Sequence, residues 1–354
     1  MSRRSSKVHF IAMDTHGTTT SICVKTTVDG PARRWTVATT ISALREVLAQ
    51  VERPRKLTFE EGPLADWLLR NLQAYADETV VCDPRRNALV AKESDKDDPI
   101  DAEKLCDLFI GKYVKAVHHP ESRERAVIKQ VVGLYGQQVK VKVRAANQVI
   151  GYCKRWGVVV REGAFAKAPG RAVLLGRLPE EPTVQRILGV LLAGYDQAVQ
   201  QVQALKRELA RQAKAQEVVV RWQAVPGIGP VRGMILQSYL DTPWRFKSKQ
   251  ALWKYLGIGL VRKQSGNGPE RLSVERECNR SLKNAILGAA ETVILRKDDV
   301  ANPYGRRFES WLKAGLMRRN ARRNVARALA CTLWGMWKNG GVYDPGKVFG
   351  GGGA

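Results

Sequence analysis

Histidine and cysteine, which build most transition-metal sites, are in short supply. The chain has four histidines and six cysteines in 354 residues. Cys23, Cys82, Cys106, Cys153, Cys278 and Cys331 are scattered, and no two form a C-x-x-C pair, which argues against the usual zinc frameworks. Thiols so dispersed fit reduced cysteines in a cytoplasmic protein. His118-His119 is predicted to lie in a surface loop, since no partner ligands stand at zinc spacing. Long apolar runs are missing too. None is long enough to span a bilayer and no signal peptide is recognisable, so no membrane role is expected.

Acidic residues are the third shortage: 34 Asp and Glu face 59 Lys and Arg, for a formal net charge of +25. The imbalance is local. Residues 1–120 hold 18 Lys/Arg against 17 Asp/Glu, whereas residues 121–354 hold 41 against 17. A near-neutral domain is thus followed by a basic one, in a chain long enough for two or three units. A basic excess of that size points to a polyanion, and to nucleic acid before an anionic membrane surface.

Where acids are scarce, one acidic stretch stands out. Glu93, Asp95, Asp97, Asp98 and Asp101 fall within nine residues. Asp98 reads as a helix N-cap and Pro99 as the first helical residue. Leu105, Leu108 and Phe109 then supply an apolar face. Asp98 and Asp101 lie one turn apart and can point the same way. The stretch is either a well-capped helix start or half of a divalent-metal site.

Alternation and turn residues predict strands at 8–13, 21–26, 34–39, 56–60 and 79–82, with helices at 41–51 and 65–75. Three strands followed by α/β alternation imply a mixed sheet flanked by helices. That order resembles the RNase H-like fold, which includes the RuvC resolvases and in which the first and fourth strands are neighbours. Asp14 would close the first strand and Glu60 the fourth, with Asp98 and Asp101 on the helix beside them. Four carboxylates at one sheet edge make the oxygen-rich ligand set that Mg²⁺ prefers. Glu60 and Glu61 are both candidates. Glu60 is preferred because it directly follows Leu57 and Phe59 at the strand end.

The basic part reads as helical. A long helix is expected over 121–155, a linker over 161–177, and a second long helix over 183–214. Leu188, Leu191, Leu192, Tyr195, Val199, Val202, Leu205 and Leu209 make a nearly heptad stripe on the latter, suited to packing within the chain or to a coiled coil between subunits. Val225–Val231 resembles a helix-hairpin-helix turn, in which Gly227 and Gly229 would let backbone N–H groups approach a phosphate. A loop over 257–271 carries Arg262, Lys263 and Ser265 among glycines, and taken alone it is only a basic loop. Asn279 and Arg280 open the next helix. Farther on, Arg318, Arg319, Arg322 and Arg323 are expected along one helical face, placed for backbone phosphates.

Taken together, these motifs resemble the DEDD-type insertion-sequence transposases of the IS-one-ten family, the bridge-RNA-guided recombinases, over nearly the whole chain. The resemblance implies a RuvC-like metal-binding domain at 1–120, a coiled-coil region at 121–216, a transposase domain at 217–345 and a flexible tail at 346–354. It implies that Ser265 is a nucleophile forming a phosphoserine link to DNA. A site of two Mg²⁺ ions held by Asp14, Glu60, Asp98 and Asp101 would assist it. It also implies nucleic-acid contacts at Gly227, Gly229, Arg262, Lys263, Asn279, Arg280 and the arginine helix. The partners implied are double-stranded target and donor DNA, a noncoding bridge RNA, and further copies of the chain in a dimer to tetramer. The location implied is a bacterial or archaeal cytosol, near the nucleoid. The competing reading is a RuvC-like nuclease that uses water instead of serine.

Overall fold

The computed structural model describes residues 7–90, 98–120, 122–263, 271–274, 278–296 and 302–349, with backbone only at 88–90, 98–99, 262–263 and 271–272. Ser265 lies outside the described residues, as do Glu93, Asp95 and Asp97. The chain divides into two compact units, Met1–Glu121 and Ser122–Ala354. Among the described residues, no helix is long and apolar enough to cross a membrane.

The first unit is built on strands β1 (His9–Thr15), β2 (Thr19–Lys25), β3 (Arg33–Ala38), β4 (Arg55–Glu60) and β5 (Glu78–Cys82). Helices α1 (Ile41–Ala49), α2 (Ala65–Leu72), α3 (Pro84–Val90) and α4 (Asp98–Ile110) accompany them. The sheet order is β3-β2-β1-β4-β5. β1 is antiparallel to β2 and parallel to β4, and β5 continues parallel to β4. This is the expected open mixed sheet, with the first and fourth strands adjacent.

Strand alternation assigns its two faces. Ile11, Met13, Leu57 and Phe59 pack with Leu44, Leu48, Leu68 and Leu72 of α1 and α2. Ala12, Cys23 and Cys82 point the other way, onto Ala102, Leu105 and Cys106 of α4. Three local expectations need correction. α4 includes Asp98 in its first turn instead of using it as the residue before the helix. Asp83-Pro84, expected only to turn the chain, starts α3, because proline fits a first helical turn. His119 is not at the surface: its side chain is 7% exposed.

The second unit opens with a helical hairpin, α5 (Arg123–Arg155) and α8 (Pro182–Ala213). Between them lie α6 (Glu162–Phe165) and α7 (Ala168–Leu175), two short helices where a linker was expected. Leu188, Leu192 and Tyr195 of α8 are buried with Ala146, Val149 and Cys153 of α5. The upper part of the apolar stripe is therefore used inside the chain. A bundle follows, made of α9 (Glu217–Trp222), α10 (Pro230–Leu240), α11 (Lys249–Tyr255), α12 (Arg280–Leu295), α13 (Pro303–Lys313) and α14 (Arg318–Asn339). Buried Ile286, Ala289, Ala290 and Val293 place α12 at its centre, and Trp222 Nε1 donates to the Leu333 carbonyl at 2.9 Å. The expected loop at 257–271 is instead flanked by a two-stranded hairpin, β6 (Leu260–Lys263) and β7 (Arg271–Val274). Residues 346–349, expected to begin a flexible tail, end on Phe349, whose ring lies 5.9 Å from Tyr304 and 6.1 Å from Trp311.

Candidate functional site

The β1–β4 ladder runs to the pair Met13–Phe59. One residue further on each strand come Asp14 and Glu60. Met13 and Phe59 face α1 and α2, so alternation turns Asp14 and Glu60 to the side that α4 covers. Asp101 sits in the first turn of α4, one residue before buried Ala102, which packs on that face. Asp98 opens the same turn by its backbone.

The Glu60 carboxyl is pushed above the usual range, first by burial and then by the charges of Asp14, Asp101 and Asp83. A hydrogen bond from Asn87 Nδ2 at 2.8 Å acts in the opposite sense. Asp14 is 3.2 Å from His16 Nε2. Among the described residues, no three His, Cys, Asp or Glu side chains stand close enough to hold one ion. Beside the Cys82 thiol, 3.3 Å from Asn87 Nδ2, and His16 on Asp14, what the edge does provide is like-charged carboxylates. Such a donor set fits Mg²⁺, whose charge would relieve their repulsion. Asp83 was not foreseen. Its signal was its place directly after Cys82, the register partner of Glu60.

The adjacent acids Glu60 and Glu61 diverge. Glu61 Oε2 lies 2.5 Å from His119 Nε2, and His119 Nδ1 lies 4.0 Å from Asp66. Across the sheet, Lys25 ties α4 in place. Its ammonium is 2.7 Å from Asp107 and 3.5 Å from Glu103, and Arg34 also binds Glu103. Burial alone would depress Lys25, but the two carboxylates more than offset it and its pKa is raised.

In the second unit the glycine turn has two different glycines. Gly227 has φ +83, and a Cβ there would lie 2.7 Å from the Ala289 carbonyl oxygen, so the turn packs directly on α12. Gly229 caps α10 with nothing within 4 Å of a Cβ position. Arg232 donates to the Gly227 carbonyl at 2.8 Å and to Thr292 at 3.0 Å. Arg262 and Lys263 are placed by backbone in β6. Asn279 is the N-cap of α12, its Oδ1 accepting from Ser281 and Leu282, while Arg280 is exposed.

The arginines of α14 differ in their partners. Arg318 and Arg322 reach Glu291 of α12 at 2.7 and 3.2 Å. Arg319 is exposed. Arg323 has its pKa lowered by burial and by neighbouring Arg319 and Arg322. Arg327, one turn on, donates to the Ile258 carbonyl at 2.9 Å. Glu291, 27 residues earlier than Arg318, engages two of these arginines.

Residues 221–306 match the model of the Transposase IS116/IS110/IS902 family. That segment contains the glycine turn, β6, β7 and α12. A putative transposase, y4pF/y4sB, of Sinorhizobium fredii is 25% identical over 282 residues, covering 77% of this chain and 70% of its own length. The transposase for insertion sequence element IS1328 of Yersinia enterocolitica is 22% identical over 262 residues, with 71% and 75% covered. The transposase for insertion sequence element IS1111A of Coxiella burnetii is 21% identical over 249 residues, with 69% and 67% covered.

Proposed function

We propose that this chain is a transposase of the IS110/IS1111-like kind, as its family match and its transposase relatives support, and that it cuts and rejoins DNA through a phosphoserine at Ser265. Asp14, Glu60, Asp98 and Asp101 would hold the metal. The first unit is the RuvC-like, metal-binding part, the α5–α8 hairpin the coiled-coil region, and residues 217–345 the transposase part. The observation that carries the metal reading is the parallel β1–β4 pairing, which sets Asp14 and Glu60 side by side under the start of α4. Assignment of the nucleophile rests on Ser265 falling inside the family match, between Arg262-Lys263 and Gly266.

In this reading the Ser265 hydroxyl bonds to phosphorus as one ester bond of the DNA breaks. The departing sugar oxygen takes up a proton. The ester energy is kept in the phosphoserine until a sugar hydroxyl attacks it and restores the DNA. A serine hydroxyl is a weak nucleophile at neutral pH, and no histidine stands near Ser265 in the sequence to act as base. Two Mg²⁺ ions, when bound, would supply that activation and neutralise charge at the phosphate. Asn87 orients Glu60, and Lys25 fixes the helix that carries Asp98 and Asp101. The glycine turn, with Gly227 and Gly229, Arg262, Lys263, Arg280 and the α14 arginines would engage the DNA backbone. Base pairing with a bridge RNA would select target and donor, leaving the protein mainly phosphate contacts to make.

Assembly into a dimer to tetramer is part of the same reading. Val127, Leu134 and Val141 stand exposed at seven-residue intervals on α5, the spacing of a helix seam.

The test is recombination between plasmids carrying the element's ends and its target, with Mg²⁺ or with chelator. Asp101→Asn should abolish strand cleavage while folding and nucleic-acid binding persist. Wild-type rates from that variant in Mg²⁺ would reduce Asp101 to a helix-start residue.

A further inference from the structure

Trp244 is the most exposed of the nine tryptophans, at 70%. Its backbone is held firmly. Thr242 caps the short turn Pro243–Arg245, its Oγ1 accepting the Trp244 N–H at 3.4 Å. Pro243 is buried, and its carbonyl accepts the Trp334 Nε1–H at 2.8 Å. The indole therefore projects from a fixed base. The Lys338 ammonium lies 5.3 Å from its ring centre and 3.9 Å from that of Trp334.

The neighbouring aromatic rings are already engaged. Arg245 lies over Tyr255 and Phe246, at 4.4 and 5.6 Å. Trp253 has Arg327 at 5.6 Å and Lys249 at 6.0 Å, and its Nε1 donates to the Arg327 carbonyl. Trp244 carries one cation, Lys338, and still leaves most of its ring surface open to solvent.

Charge along this segment has one sign. From Thr242 to Lys263 the sequence holds Arg245, Lys247, Lys249, Lys254, Arg262 and Lys263 and no Asp or Glu. The nearest acid in sequence, Asp241, is buried, with Arg125 at 3.5 Å. An exposed ring within a wholly cationic stretch suits a ligand that joins a flat aromatic face to repeated negative charge.

We infer that Trp244 is a stacking platform for an unpaired nucleobase in a single-stranded segment of nucleic acid. Lys338 and the cations of residues 245–254 neutralise the adjoining phosphates. The inference rests on the nucleic-acid reading above and adds to it a preference for single strands. A base inside a duplex is already stacked and reaches the indole only after being unstacked. A patch acting by charge alone has no such preference.

The test uses the full-length protein and fluorescein-labelled single-stranded 20-mers of DNA and of RNA, with a matching DNA duplex, followed by anisotropy at one salt concentration. Trp244→Ala should weaken single-strand binding about tenfold and change duplex binding less than twofold. Trp244→Phe should recover most of the loss. A 2-aminopurine base in the strand should be quenched by the wild type and not by Trp244→Ala. The sugar type on which Trp244→Ala loses more affinity identifies the strand that uses the platform. Unchanged single-strand binding by Trp244→Ala, or an equal loss on duplex, would overturn the platform and leave the enzyme reading standing. Failure of the wild type to bind any of the three would sink both.

Discussion

A lysine ammonium that is 5% exposed is stable only beside counter-charges, and Lys25 has them in Asp107 and Glu103 of α4. Because α4 also carries Asp98 and Asp101, this one residue links folding to the candidate metal edge. Lys25→Met should cost about 2 kcal/mol of stability, the scale of a charged hydrogen bond, measured by urea unfolding. It should also raise the Mg²⁺ concentration needed for half-maximal cleavage, and Lys25→Arg should restore both. Loss of stability with an unmoved Mg²⁺ titration would make Lys25 structural only. The Glu60–Glu61 pair shows what single residues conceal in sequence. Both acids follow the same strand, and their separation depends on Asn87 and on His119, 27 and 58 residues away. Glu60→Gln should lower cleavage by two orders of magnitude or more. Glu61→Gln should leave the Mg²⁺ titration unchanged. The reverse outcome would hand the ligand role to Glu61.

At the scale of elements, the two glycines of the α9–α10 turn separate packing from binding. Gly227→Ala forces a left-handed residue against the α12 backbone and should destabilise the protein by roughly 2 kcal/mol or more. Gly229→Ala meets open space and should leave the melting temperature nearly unchanged. Any loss of DNA affinity in Gly229→Ala then reports close approach of a phosphate; full affinity would remove Gly229 from the interface. The strands of the first unit were legible as short runs of apolar and β-branched residues closed by turn residues, and β1 reads as a continuous apolar run because Ile11, Ala12 and Met13 are buried on both faces. α6 and α7 were not, since Gly163, Pro169, Gly170 and Gly176 read as breaks; Pro169 falls within a first helical turn, where proline is tolerated. The β6–β7 hairpin was hidden by strands of four residues each. The pairing of Arg318 and Arg322 with Glu291 was hidden because Glu291 lies on a different helix.

For the whole molecule, charge divides the labour. The Lys/Arg excess lies almost entirely beyond residue 120, and each of the two units has its own core. Residues 122–354 alone should bind DNA or RNA, losing about a hundredfold or more in affinity between 50 and 200 mM salt. Residues 1–121 should bind weakly at either salt, and equal binding by the two would contradict this division. The central claim, cleavage by serine with metal assistance, is tested most directly by stopping a Mg²⁺ reaction with denaturant and looking for protein joined to DNA. Wild-type protein should carry a DNA strand as a serine phosphodiester at Ser265, seen as a gel shift and mapped by mass spectrometry. Ser265→Ala should give no adduct and no recombination while still binding Mg²⁺. Efficient cleavage by Ser265→Ala without any adduct would show that water is the nucleophile and that the protein is a metal-dependent nuclease.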